Sequence, residues 1–224
     1  MKFSEDYLKW LGTCGNKSSI PADFYMDQSN YSYFPPDFAI QQNEAEIMSF
    51  IKVLKEKNVK NILEIGLGYY GSTHVLFREH FDSVVTVELS LERVKSFFYR
   101  AESYFGRNFF AGGKSQILVA DSNSASASKK IMQVLERSDY VAFDAIFIDG
   151  FHGFDTVLLD LLIYNNFVKK SGTVAFHDVI SGIEDSGVPK LICDLRFGTL
   201  KHLFTDYSEI IHSKYLGIGY FTKV

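Results

Sequence analysis

The sequence lacks most of what would place it in a membrane, on a nucleic acid or outside the cell. No apolar run approaches the roughly 18 residues that mark a transmembrane helix. Met1 opens a polar segment without the apolar stretch of a secretory signal. The two cysteines, Cys14 and Cys193, lie far apart and suggest free thiols in a reducing compartment, not a disulfide framework. Lys and Arg total 23 against 27 Asp and Glu, so a net charge of −4 offers nucleic acid no electrostatic footprint. Repeats, linkers and low-complexity tracts are also missing. A soluble cytoplasmic protein is expected, with no nucleic-acid or membrane partner and with a homo-oligomer left open.

What is present centres on residues 61–73, Asn-Ile-Leu-Glu-Ile-Gly-Leu-Gly-Tyr-Tyr-Gly-Ser-Thr. An apolar run that reads as a buried strand breaks into Gly66, Gly68 and Gly71, and Ser72 can cap a following helix. Strand, glycine turn and helix in G-x-G-x-x-G spacing form the context in which that pattern means nucleotide binding. Glycines let backbone N–H groups approach a ligand that a Cβ would hold off. Glu64 sits two residues before the first glycine, where dinucleotide-binding loops usually carry an apolar residue. A carboxylate at that strand end suits a ligand bearing an ammonium group and would repel a pyrophosphate.

The stretch resembles the first motif of class I S-adenosylmethionine-dependent methyltransferases, acidic-x-Gly-x-Gly-x-x-Gly. The resemblance implies that Glu64, Gly66, Gly68, Tyr69, Gly71 and Ser72 contribute to a cofactor site for S-adenosylmethionine. Glu88 ends the second apolar run about 20 residues beyond the glycine turn, where an acidic side chain can accept both ribose hydroxyls. Asp121 and Ser122 end the third run, and members of this class often hold the adenine amino group there.

With 46% hydrophobic and 22% charged residues, the 224-residue chain suffices for one α/β domain and a short extra segment. Residues 1–40, dense in aromatics such as Tyr25, Tyr33 and Phe34, read as an N-terminal lid or strap, and residues 41–224 as the domain. Asn43 and Glu46 make a capping-box-like pair before Ile47, Phe50, Ile51 and Leu54. Strands are expected at 61–65, 83–87, 116–120, 145–148 and 173–176, alternating with helices. Ser90 can cap one of these helices, and another presents Val157, Leu158, Leu161 and Leu162 inward. Two further strands, 203–211 and 216–222, are close enough for an antiparallel hairpin at a sheet edge. The expected fold is a three-layer, Rossmann-like α/β sandwich with a mostly parallel seven-stranded sheet and an antiparallel C-terminal hairpin.

In an open parallel sheet, ligands bind outside the carboxyl ends of the strands. Here those ends carry Glu64, Glu88, Asp121, Asp149 and His177-Asp178. Carboxylates gathered on one rim repel one another, and cationic ligands relieve that repulsion. A sulfonium cofactor answers the first three ends, and a divalent metal on Asp149, His177 and Asp178 answers the rest. The stretches 147–152 and 175–178 resemble the metal-dependent O-methyltransferase branch, which includes the catechol, macrocin and cephalosporin hydroxylase-like sequences. His177 departs from the Asp-Asn of catechol-type members. Hard Mg²⁺ prefers oxygen, and an imidazole also admits Mn²⁺ and other transition metals. Against the alternatives of a helix cap or a metal ligand, His152 is the expected general base, with Asp149 beside it in the catalytic set. It holds the offset from Asp149 at which catechol-type enzymes carry a lysine proposed for that task, and an imidazole accepts a proton at neutral pH. Other histidines, His74, His80, His202 and His212, read as surface or internally satisfied groups.

The resemblance implies methyl transfer from S-adenosylmethionine to a hydroxyl of a small partner: a sugar, a phenol or a natural product. Two alternatives stay open: a dinucleotide-binding oxidoreductase, and a domain that keeps the cofactor pocket as an interaction module.

Overall fold

Strand β1 (Asn61–Ile65) and strand β2 (Ser83–Glu88) are almost wholly buried along their length, as expected of parallel strands covered on both faces. The computed structural model describes residues 41–180, 187–212 and 216–224. The lid or strap expected at 1–40 lies outside them, as does Cys14. With β3 (Ser115–Val119), β4 (Phe143–Ile148), β5 (Val168–His177), β6 (Phe204–Ile210) and β7 (Ile218–Lys223), they form one seven-stranded sheet of order β3-β2-β1-β4-β5-β7-β6. The pairs from β3 through β5 are parallel, while β7 runs antiparallel to both β5 and β6. The expected C-terminal hairpin is therefore present, with β7 inside and β6 at the edge.

Period-two alternation divides the strands between two cores. Ile62, Val84, Ala145, Phe147 and Ala175 join the cluster under helices α1 (Glu44–Glu56), α2 (Ser72–His80) and α3 (Leu91–Phe105). Leu63, Val85, Ile146, Ile148 and Val174 join the cluster under α4 (Ala125–Glu136), α5 (Phe154–Tyr164) and α6 (Gly187–Phe197). This is the three-layer sandwich. Among the described residues no helix is long and apolar enough to cross a membrane.

Helix starts follow side-chain chemistry. Asn43 and Ser124 accept the N–H of Glu46 and Ala127, and Ser90 accepts that of Arg93. Only half of the expected capping box forms at α1. The Glu46 carboxylate turns instead to the N–H groups of His212 (3.1 Å) and Gly217 (3.0 Å). Ser72 is not a cap: Gly71, with φ of 71°, holds the N-cap position of α2, and Ser72 is its first helical residue. On α5 the inner face is Val157, Asp160, Leu161 and Tyr164, whereas Leu162 is 46% exposed. The apolar run there is wider than the face that is buried. The fifth strand starts earlier than the expected 173, and Ser171-Gly172 fall within a β5 irregularity that shifts the pairing with β4.

Candidate active site

The chain winds outward from β1 through β2 to β3, then returns to lay β4 on the other side of β1. At this topological switch point the connections leave in opposite directions and a crevice opens beyond the strand ends. The two sides stay close: Asp149 N–H donates to the Ile65 carbonyl at 2.9 Å. Gly66, with φ of 96°, leaves no room for a side chain, because a Cβ would collide with the Asp149 carbonyl. The resulting cleft has a volume of about 820 Å³.

Most of the residues expected at a cofactor line this cleft. Gly66, Gly68 and Tyr69 form one wall, Glu88 the next, and Asp121 and Ser122 the far end. Glu88 is 4% exposed, and each of its oxygens accepts one backbone amide, Leu67 N–H at 3.0 Å and Ser90 N–H at 2.8 Å. Each carboxylate oxygen has capacity for a second donor. The lining carries three carboxylates, Glu88, Asp121 and Asp149, and of lysines and arginines only Arg93. That balance suits a cationic ligand better than a pyrophosphate.

Three expected cofactor residues do not line it. Glu64 is fully buried, accepting from the Thr86 hydroxyl with His74 Nδ1 3.7 Å away. Alternation along β1 turns it toward the α1–α3 side of the sheet. Burial pushes its carboxyl above the usual range despite the opposing His74 and Thr86 contacts. His74 in turn bonds to Thr86 and Ser115 at 2.6 Å each, an internally satisfied histidine. Gly71 needs its missing Cβ for packing, since a side chain there would strike the Phe97 ring. Ser72 is buried in the first turn of α2.

The other half of the cleft gathers the ends of β4 and β5. Asp149 Oδ1 lies 3.4 Å from His152 Nε2 and 3.2 Å from His177 Nδ1. Asp178, fully buried with φ of 60°, sets Oδ2 3.1 Å from His152 Nδ1 and Oδ1 3.4 Å from His177 Nδ1. A left-handed aspartate is conformationally costly and is often found at functional sites. Burial pushes the Asp149 carboxyl up, but the His177 and His152 imidazoles outweigh it and hold it well below the usual carboxylate range.

Asp149, His152 and Asp178 each offer a donor atom, all within 4.8 Å of one another. Both nitrogens of His152 face carboxylates, yet a neutral imidazole can donate through only one. A divalent cation among two carboxylates and one imidazole resolves that conflict and fits the donor set, with oxygen for Mg²⁺ and an added nitrogen for Mn²⁺. His177, expected as a ligand, stands beside this trio, bridging the two carboxylates through Nδ1.

Two residues of this region have roles that sequence reasoning missed. Gln42, 2% exposed, donates from Nε2 to Asp149 Oδ2 at 2.9 Å. Nothing local signals this contact, because the partners are 107 positions apart. Asp160, 1% exposed on α5, accepts from Asn123 Nδ2 at 2.6 Å and so supports the loop that carries Asp121 and Ser122. Burial pushes its carboxyl up to about 6, a bond from Ser122 opposes this, and the Asp121 charge adds to it. An aspartate on the apolar Val157–Leu161 face was the available signal.

No protein-family model and no curated protein matches the sequence. Solved structures do match the fold. A Staphylococcus aureus protein proposed to be a caffeoyl-CoA O-methyltransferase aligns with a TM-score of 0.59 and 20% identity, over 80% of this chain and 82% of that one. An rRNA methylase from Streptococcus thermophilus gives a TM-score of 0.55 and 10% identity, over 82% of this chain and 99% of that one. The methyltransferase MycE of the mycinamycin pathway, solved with Mg, S-adenosylhomocysteine and mycinamycin VI, gives 0.56 and 14%, over 88% of this chain and 53% of that one. This chain thus spans about half the length of MycE, and at such identities the shared property is the fold.

Proposed function

We propose that this chain is an S-adenosylmethionine-dependent methyltransferase that methylates a hydroxyl of a small substrate, assisted by a divalent cation. The observation that carries the reading is the rim of the cleft. Glu88 and Asp121 line one half and Asp149 and His152 the other, with the buried Asp178 converging on them from behind the wall. The charge balance of this rim disfavours a dinucleotide, and the solved methyltransferases lend the same fold.

When bound, S-adenosylmethionine supplies the methyl group, and Mg²⁺ or Mn²⁺ supplies positive charge that lowers the pKa of a hydroxyl. Glu88 accepts the ribose hydroxyls with the lone pairs its backbone partners leave over. Asp121 and Ser122 hold the adenine edge, and Gly66 and Gly68 let the backbone approach the rest. Asp149, His152 and Asp178 hold the cation, and His177 keeps the two carboxylates in place. His152 thereby moves from the base expected from sequence to a ligand, since a nitrogen whose lone pair is engaged cannot accept a proton. A substrate with adjacent hydroxyls, on a sugar, a phenol or a natural product, suits such a centre.

Transfer of labelled methyl groups from S-adenosylmethionine to a panel of catechols and vicinal diols tests this reading. Chelation is expected to abolish transfer, and Mg²⁺ or Mn²⁺ to restore it. Full activity in demonstrably metal-free protein would remove the cation from the account. His152→Gln separates the two roles: a ligand loses metal affinity, whereas a base loses roughly 10²–10⁴ in kcat with metal affinity intact.

A further inference from the structure

Gln42 immediately precedes Asn43, the N-cap of α1, and its side chain is buried against the end of β4. Its place is doubly determined. Asn43 Oδ1 fixes the first turn of α1 through Glu46 N–H, and the Glu46 carboxylate ties that turn to the N–H groups of His212 and Gly217. The helix start is therefore anchored both to its own backbone and to the chain between β6 and β7. From that anchored position Gln42 Nε2 reaches Asp149 Oδ2 at 2.9 Å.

The direction of the amide is chemically forced. Reversing it would set Oε1 against a carboxylate oxygen, two acceptors with no proton between them. With the donor end committed, Oε1 is left buried and without a hydrogen-bond partner among the described residues. A buried amide that satisfies only one end is a poor choice for stability alone, so its value lies in what the committed end does. At Asp149 the division of labour is sharp. Oδ2 belongs to Gln42, while Oδ1 is the oxygen near His152 at 3.4 Å and His177 at 3.2 Å. Gln42 donates without adding a formal charge. A lysine there would fix the carboxylate equally well but would repel a cation.

We propose that Gln42 is the positioning residue of the Asp149–His152–Asp178 centre, holding Asp149 Oδ2 so that the carboxylate presents Oδ1 to the cation. This rests on the metal-binding reading given above. Residues that hydrogen-bond to a ligating carboxylate or imidazole typically govern metal affinity by 10- to 100-fold without touching the metal. The start of α1 thereby belongs to the site, although it lies on the opposite side of the glycine turn in sequence.

The test is Mn²⁺ titration of the metal-free full chain, followed by electron paramagnetic resonance of free Mn²⁺, with calorimetry of S-adenosylhomocysteine in parallel. Gln42→Met keeps length and removes the donor, and Gln42→Asn keeps the amide but shortens its reach. Both are expected to bind Mn²⁺ about 10- to 100-fold more weakly, with S-adenosylhomocysteine affinity unchanged. Wild-type Mn²⁺ affinity in either folded variant overturns the proposal. So does a parallel loss of both ligands, which makes Gln42 a general structural support. If wild type itself holds no Mn²⁺, the metal reading falls and takes this role with it, an outcome distinct from the others.

Discussion

Glu88 and Asp160 are both buried carboxyls near the cleft, and they do different work. Glu88 spends one lone pair per oxygen on the amides of Leu67 and Ser90, which holds the glycine loop near the start of α3. Its remaining capacity is what a ribose would use. Glu88→Ala is expected to weaken S-adenosylhomocysteine by about 1.5–3 kcal/mol, the scale of hydrogen bonds to a charged group. Calorimetry on a variant with an intact unfolding transition checks it, and unchanged affinity would remove Glu88 from the site.

Asp160 makes its prediction through pH. Its folded pKa is raised to about 6, whereas an unfolded aspartate titrates near 3.9. The folded state therefore binds the proton more tightly. The associated stability is fully present below about pH 4 and is lost as pH rises through about 6. Asp160→Asn cannot ionise, so it escapes that loss. Its stability relative to wild type should rise by up to about 3 kcal/mol between about pH 4 and pH 7.5. Urea unfolding at the two pH values measures this, and a difference that does not change with pH contradicts it.

Among the elements, the start of α1 carries the most unexpected load. Glu46 is 1% exposed and its two oxygens serve the amides of His212 and Gly217, 166 and 171 positions away. Glu46→Ala would strand the Gly217 and His212 N–H groups and is expected to cost about 2–6 kcal/mol in chemical denaturation, from about 1–3 per unsatisfied donor. A cost under about 0.5 kcal/mol, the size of a surface change, would mean that water replaces the carboxylate. The pattern Asn43-x-x-Glu46 made the helix start legible, because the cap is local. It misassigned the glutamate because a distant pair of amides outcompeted the cap. Leu162 failed for a similar reason: composition marked an apolar run, but only the packing of α5 decides which stripe is buried.

At the scale of the molecule, the order of elements was readable because apolar runs and helical periods alternate cleanly, and that alternation dictates a parallel sheet. Reading the strand ends as one rim was also sound in principle, since parallel strands place their carboxyl ends on one edge. Of the five ends, all but that of β1 contribute their polar residue to the cleft lining. Glu64 is one residue short of the end of β1, and pleating sends it into the α1–α3 side beside Thr86 and His74. Asp149 and Asp178 follow β4 and β5 directly, and they meet around His152. Gln42 and the Asn123–Asp160 bond were not readable, because each depends on segments brought together only by the finished sheet.

On the proposed reading, the switch-point cleft takes S-adenosylmethionine and not a dinucleotide. Calorimetric titration of the purified chain with S-adenosylhomocysteine, and separately with NAD⁺ and NADH, tests it most directly. Saturable one-to-one binding of S-adenosylhomocysteine is expected, with heats of dilution alone for the dinucleotides. Saturable NAD⁺ or NADH binding, with no response to S-adenosylhomocysteine, would contradict the account.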